Sequence, residues 1–355
     1  MQVSTKKTDK LKPKPDEGAL DFGTIFTDHM FNMDYSLEKG WHNPRIEPYR
    51  SLVLDPACLV LHYGQGIFEG LKAYHARDGR ILMFRPEENA QRMNRSAERM
   101  CMATLDVDFQ VKAIEELVRL EEGWIPRSPG TSLYIRPTMI ASEAALGPRP
   151  AKEYIYYVIT GPVGAYYPEG FNPTRIFVSD QYVRAVRGGV GEAKTMGNYA
   201  ASLMAATQAK KLGCSQVLYL DALELRYAEE VGTSNIFFRI GDELATPALG
   251  GTILPGVTRD SIIKLARHWG ITVNERPIAI DEVLDAAQSG QTVEAFGSGT
   301  AAVVSPIGEF YYKGKSYPIG GGRVGEWTQR LYDELVGIQY GEKEDLFGWV
   351  RVVKK

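Results

Sequence analysis

Lys194 follows the glycine-rich run Arg187–Ala193, RGGVGEA, and precedes Thr195 and a stretch of small and apolar residues up to Gly213. A lysine so placed has three uses: clamping a nucleotide phosphate, forming a covalent bond to a carbonyl, or sitting solvated in a loop. The phosphate loop of nucleotide-binding proteins reads G-x-x-x-x-G-K-[ST]. Gly188, Lys194 and Thr195 fit it, but Ala193 stands where the second glycine lets backbone N–H groups close around phosphate. That weakens the first use at its most specific position.

The solvated reading is weakened by what lies downstream, in Tyr227–Arg259. A carboxylate, Glu230, comes just before a strand that Asn235 helps to open, and Leu254–Arg259, LPGVTR, leads into a helix. Helix N-termini bind phosphate through their free N–H groups and dipole. A nucleophilic lysine, a carboxylate and a phosphate cradle together define a pyridoxal-phosphate site. The lysine forms a Schiff base with the aldehyde. The carboxylate keeps the pyridine nitrogen protonated so that the ring draws electrons.

These residues need a scaffold. Pro86 and the acids Glu87 and Glu88 open a helix over about 86–102. VDFQVKAIEELVRL has helical spacing, as do Gly256–Gly270 and GEWTQRLYDELVGIQYG. SLYIRPTMI, EYIYYVITGPVGAYY, TRIFVSD, QVLYLD and SNIFFRI read as strands, and TVEAFGSGTAAVVSPI as two strands around a glycine turn. The Gly- and Pro-rich GPVGAYYPEGFNP is the expected interdomain linker. The chain is thus expected to be a two-domain α/β (α+β) protein: a disordered leader over 1–18, a small domain over 19–162, a loop over 163–173, and a large domain over 174–355 that carries the lysine.

Composition agrees with an ordinary enzyme. The 355 residues carry a net charge of −3, with 44% apolar and 24% charged residues, which gives no reason to expect nucleic acid or an anionic membrane as partner. Three scattered cysteines, Cys58, Cys101 and Cys214, argue against a disulfide framework or a metal site. No apolar run approaches the roughly 20 residues of a membrane span. The expected location is cytoplasmic.

The pattern Glu230, Asn235-Ile-Phe, Leu-Ala-Thr, LPGVTR resembles that of the class IV aminotransferases, fold-type IV pyridoxal-phosphate enzymes with a D-amino-acid aminotransferase-like fold. FTDHMFNMDYSLEKGWHNPRIEPY, LHYGQGIFEGLKAY, FRPEENAQRMNRSAERM, SLYIRP, GPVGAYYPEGF, KTMGNYAASL, EEVGTSNIFF, ILPGVTRDSI and FGSGTAAVVSPI further resemble the branched-chain amino-acid aminotransferases. The resemblance implies reversible amino transfer between L-leucine, L-isoleucine or L-valine and 2-oxoglutarate, giving L-glutamate, with pyridoxal 5′-phosphate as cofactor.

By this resemblance Lys194 is catalytic and holds the cofactor. Glu230 pairs with the pyridine nitrogen, Glu229 being its rival, and Tyr199 bonds O3′. Arg92 binds the phosphate, with Arg85 and Arg95 as rivals, and Val257, Thr258 and Thr300 complete the cup. Thr233 joins the cofactor set. Phe31, Tyr63, Phe68, Tyr134 and Tyr166 would wall the substrate pocket. Arg136 would receive the γ-carboxylate, and Thr300 and Ala301 the α-carboxylate. Family members are homodimers, and Tyr63 and Leu146 resemble residues lent to the partner's pocket. Ala302 and Ser305 replace the Cys-x-x-Cys pair of mammalian members, so no thiol switch is expected there. D-amino-acid transaminase and aminodeoxychorismate lyase share the lysine and carboxylate, and a phosphate-loop nucleotidase is the rival from another class.

Overall fold

The computed structural model describes residues 1–164, 166 and 170–354. The chain divides into two units. Met1–Tyr166, Ala193–Met196 and Gly337–Lys355 form one; Tyr167–Glu192 and Gly197–Val336 form the other. Part of the expected linker, residues 165 and 167–169, lies outside the described residues.

The first unit is built on a sheet whose longest strands, Ser132–Ala141 and Glu153–Val163, pair antiparallel along their length from Ser132↔Val163 to Ala141↔Tyr154. The helices Pro86–Arg99 and Val107–Leu120 belong to the same unit, and their buried residues Met93, Ala97, Phe109, Ile114 and Leu117 join its core. Pro86 takes the first helical turn, where its missing N–H costs nothing, and Asp106 caps the second helix by accepting from the Phe109 N–H at 2.8 Å. Burying each large apolar side chain in this core stabilises the fold by about 1.5–3 kcal/mol.

Three expectations about this unit need correction. The leader is ordered: Ser4–Thr5 pair parallel with Arg45–Ile46, the Lys12 N–H donates to Asp28 Oδ1 at 2.8 Å, and Lys14 Nζ lies 3.6 Å from the Trp124 ring centroid. Its lysines meet fixed acceptors and a ring, contacts that a lysine-rich composition does not reveal. The tail is not part of the second unit either. Val350–Lys354 pairs antiparallel with Ile81–Phe84, and Arg351 bridges to Glu87 and Glu115. The segment carrying Lys194 likewise belongs to the first unit and not to the large domain expected over 174–355.

In the second unit Thr174–Ser179 lies between Gln216–Leu220 and Val303–Tyr312, parallel to both. Ser234–Ile240 runs antiparallel to Val293–Gly299, in the register Asn235↔Ser298 to Ile240↔Val293. Ala228–Val231 and Ser234–Ile240 form a hairpin whose turn is Gly232-Thr233, with Gly232 at φ +58, a left-handed conformation that suits glycine. The helices Val257–His268 and Ile280–Gln288 bury their apolar faces in this unit. Among the described residues no helix is long and apolar enough to cross a membrane.

Candidate active site

Lys194 is fixed by its backbone. Its N–H donates to Ser96 Oγ at 2.9 Å and its carbonyl accepts from the Phe68 N–H at 3.0 Å. Thr195 forms an antiparallel bridge with Ile67, and its hydroxyl donates to the Gly66 carbonyl at 2.9 Å. A Cβ at Gly66 would lie 2.7 Å from Met196 Sδ, so a side chain there would displace the end of Met196 beside the strand Gly66–Phe68. The side chain extends over Phe68, with Nζ 5.1 Å from the ring centroid. Ala193 is buried. No helix begins at the lysine; the next one is Met196–Ala201.

Beside it, Arg92 grips Glu69. Nε reaches Oε1 at 2.7 Å and Nη2 reaches Oε2 at 2.9 Å, while Asn89 Nδ2 donates to Oε2 at 2.8 Å. Burial alone would raise the Glu69 pKa. The charge and hydrogen bonds of Arg92, the charge of Lys194 and the Asn89 bond outweigh it and hold the carboxyl below its ordinary range. The rivals of Arg92 sit elsewhere. Arg85 stacks on Trp349, its guanidinium carbon 5.3 Å from the ring centroid, and Arg95 is exposed. Glu69 is a site residue that sequence reasoning missed, although it lies inside the motif IFEGLKAY; an acid in an otherwise apolar strand region is the signal that could have found it.

The aromatic candidates divide. The Arg136 guanidinium carbon lies 4.8 Å from the Phe68 ring centroid and 5.2 Å from that of Tyr134, and Nη2 donates to Tyr134 Oη at 3.3 Å. Phe22, missed in the sequence, sets its ring 4.9 Å edge-on to both Tyr134 and Tyr166. A Cβ at Gly70 would fall 2.1 Å from Tyr134 Oη, so that glycine makes the room for the phenol. Phe31 departs from its expected place on a pocket wall. It is fully buried in the core against Phe109 and Tyr156, because its position on the strand His29–Ser36 points it toward the helices. Tyr63 and Leu146 are exposed, at 44% and 70%.

The second unit holds Glu230. The hairpin register sets it opposite Asn235, and Asn235 Nδ2 donates to Glu230 Oε1 at 2.9 Å. The same nitrogen contacts the Leu254 carbonyl at 2.9 Å, tying the carboxylate strand to the LPGVTR loop. Arg184 Nη1 lies 2.6 Å from Glu230 Oε2, the two side chains being 7% and 3% exposed. Glu229 instead occupies a strand irregularity and accepts from Thr252 Oγ1 at 2.6 Å. Burial pushes its pKa up, against the pull of that bond and of Arg184.

Val257 and Thr258 start the helix Val257–His268 and are buried, and the residue at its N-cap is Gly256. Gly256 is required there, since a Cβ would lie 2.0 Å from Asn235 Oδ1. Tyr199 is half-buried on the helix Met196–Ala201, and Thr233 is at the exposed tip of the hairpin. Thr300 and Ala301 lie in the turn between Val293–Gly299 and Val303–Tyr312.

A lysine on an aromatic ring, a buried carboxylate across a hairpin with a cation beside it, and a buried helix start that follows a glycine are thus present. The family model for amino-transferase class IV matches residues 66–310, which include all three features. The chain belongs to the class IV aminotransferase family. It is 50% identical over 351 residues to branched-chain-amino-acid aminotransferase 2 of Bacillus subtilis, covering 99% of this chain and 97% of that one. Among solved structures, the branched-chain amino acid aminotransferase of Escherichia coli superposes with a TM-score of 0.77 at 28% identity, over 92% of this chain and 99% of that one. A T.th. branched-chain amino acid aminotransferase, solved in complex with N-(5′-phosphopyridoxyl)-L-glutamate, gives a TM-score of 0.74 at 27% identity, over 91% and 98%.

Proposed function

We propose that this class IV aminotransferase is a branched-chain amino-acid aminotransferase. It moves the amino group reversibly between L-leucine, L-isoleucine or L-valine and 2-oxoglutarate, with pyridoxal 5′-phosphate as cofactor and a homodimer as the working form. The observation that carries the reading is 50% identity, over nearly the whole chain, to an enzyme of that name.

The donor set fits a phosphorylated pyridine. Glu230 is a buried carboxylate with a cation at 2.6 Å, the group a protonated ring nitrogen calls for. The helix start at Val257 and Thr258, reached over a glycine, suits a phosphate dianion, and Arg92, its plane fixed by Glu69, adds a cation. Thr233 and Thr300 belong to the same proposed cup, and Tyr199 to O3′. When bound, the cofactor supplies an aldehyde for the substrate amine and a ring that withdraws electrons from Cα.

The chain's own residues do the rest. Lys194 Nζ would hold the cofactor through its aldehyde and, once displaced there by the substrate amine, would be the free amine that takes the proton from the substrate Cα and returns it on the cofactor side. Tyr134, Phe68 and Tyr166 offer rings to the methyl groups of the branched substrates. Arg136, stacked on two of those rings, meets the γ-carboxylate of 2-oxoglutarate. An apolar wall alone would reject that charge through its desolvation cost. Thr300 and Ala301 hold the α-carboxylate. Tyr63 and Leu146, exposed in one protomer, are lent to the partner's pocket. Borohydride reduction of the cofactor-loaded protein, followed by peptide mass spectrometry, tests the assignment: the pyridoxyl group should be on Lys194, and its appearance on another lysine would sink it.

A further inference from the structure

Arg184 belongs to none of the motifs that mark the family, yet its guanidinium is a junction of the second unit. Nη1 lies 2.6 Å from Glu230 Oε2 and donates to the Thr252 carbonyl at 2.8 Å and the Gly191 carbonyl at 3.2 Å. Three stretches therefore meet at one cation: the strand bearing Glu230, the approach to Leu254–Arg259, and the loop that ends three residues before Lys194 in the chain. The junction is tight. A Cβ at Gly191 would lie 2.4 Å from the Thr252 carbonyl oxygen, so glycine is needed for the two carbonyls to share the cation.

The energetic consequence follows from burial. A carboxylate as buried as Glu230, without a nearby cation, would be driven toward its neutral form. The uncharged acid could not stabilise a protonated pyridine nitrogen. A cation at 2.6 Å keeps the carboxylate charged, and it also offsets part of the field that the carboxylate exerts on whatever stands opposite. A lysine could supply the charge. All three contacts are made from one nitrogen, Nη1, and a lysine ammonium, on a side chain shorter by roughly one bond, would not reach the same point between the carboxylate and the two carbonyls.

We infer that Arg184 is a positioning residue of this enzyme, which holds Glu230 ionised and in place for the pyridine nitrogen and moderates the charge felt by the ring. This rests on the cofactor reading above. Arg184 acts through Glu230 and through the two loops it ties.

The test uses the full-length protein as wild type, Arg184→Gln and Arg184→Lys. It measures the dissociation constant of pyridoxal 5′-phosphate and the pH midpoint at which the visible band of the loaded protein changes. Without Arg184 the buried Glu230 is driven toward its neutral form and the pyridine nitrogen loses its counter-charge, so the midpoint of Arg184→Gln should move from the wild-type value by about one unit. Its cofactor dissociation constant should rise by about tenfold or more, with a fall in kcat larger than any change in the KM for leucine. Arg184→Lys should keep the wild-type midpoint but bind the cofactor about tenfold more weakly, because its shorter side chain does not reach both carbonyls. A residue that only braces the fold would change the melting temperature and leave the midpoint alone. A midpoint and dissociation constant for folded Arg184→Gln within twofold of wild type overturn the inference. If Arg184→Gln does not fold, Arg184→Lys decides, and wild-type affinity in it overturns the inference. A wild type that takes up no pyridoxal 5′-phosphate would instead overturn the cofactor reading.

Discussion

Arg92 and Glu69 form a buried two-point ion pair, with N–O distances of 2.7 and 2.9 Å and side chains only 5% and 1% exposed. Pairs of this kind contribute little when compared with a well-packed apolar replacement. Breaking one half is costly, because a charge is left buried alone. The pair therefore fixes the direction of the guanidinium more than it stabilises the fold, which suits the phosphate contact proposed for Arg92.

Glu69→Gln should destabilise the protein by about 3–5 kcal/mol in urea unfolding at pH 7.5 and weaken cofactor binding. The effect depends on pH with a definite sign. The folded-state pKa of Glu69 is lowered, so its contribution is full above the unfolded carboxyl pKa of about 4.3 and is lost as pH falls through the folded value. The gap between wild type and Glu69→Gln should close in acid. A gap that does not narrow at all as acid is added, down to the point where both proteins unfold, would show that the interaction is not one of charge.

The two neighbouring glutamates should behave oppositely. Burial raises the pKa of Glu229, so the folded state loses stability as pH rises through the window from the unfolded to the folded value, and the penalty is complete above it. Glu229→Gln should therefore melt at or slightly above the wild-type temperature at pH 8 and keep transaminase activity within about threefold. Glu230→Gln should lose activity by at least about a hundredfold, as removal of a group acting in the transition state does. Equal losses in both variants would refute the choice of Glu230.

Phe31 and Arg136 separate packing from recognition. Phe31→Ala should cost about 3–5 kcal/mol of stability with little change in either KM of the folded fraction. Arg136→Met should leave the KM for leucine within about threefold and raise that for 2-oxoglutarate by about tenfold or more, as loss of one charge-assisted contact does. A parallel rise in both KM values would place Arg136 outside the γ-carboxylate subsite.

The helices and strands of both units are legible in the sequence because their periodicity is local. The helix expected over 86–102 is observed as Pro86–Arg99, and the glycine turn of TVEAFGSGTAAVVSPI joins Val293–Gly299 to Val303–Tyr312. The Glu230–Asn235 pairing is legible for the same reason: a two-residue turn sets the register. What the sequence hides depends on contacts far apart in the chain. Glu69 meets Arg92 across 23 residues, and Arg184 meets Thr252 across 68. Phe31 is misread as a pocket residue because an aromatic residue on a strand looks the same whether its face meets a core or a pocket. The leader misleads by composition, since Lys14 is held by Asp28 and Trp124 and Lys12 by the Phe26 and Thr27 carbonyls.

The most direct measurement is glutamate formation by the purified, cofactor-loaded protein from 2-oxoglutarate and each of L-leucine, L-isoleucine, L-valine and D-alanine, with Lys194→Ala alongside. Turnover of the three branched L-amino acids, none of D-alanine, and loss of at least about a thousandfold in Lys194→Ala is the expected result. Turnover of D-alanine alone, or full activity in Lys194→Ala, would contradict it.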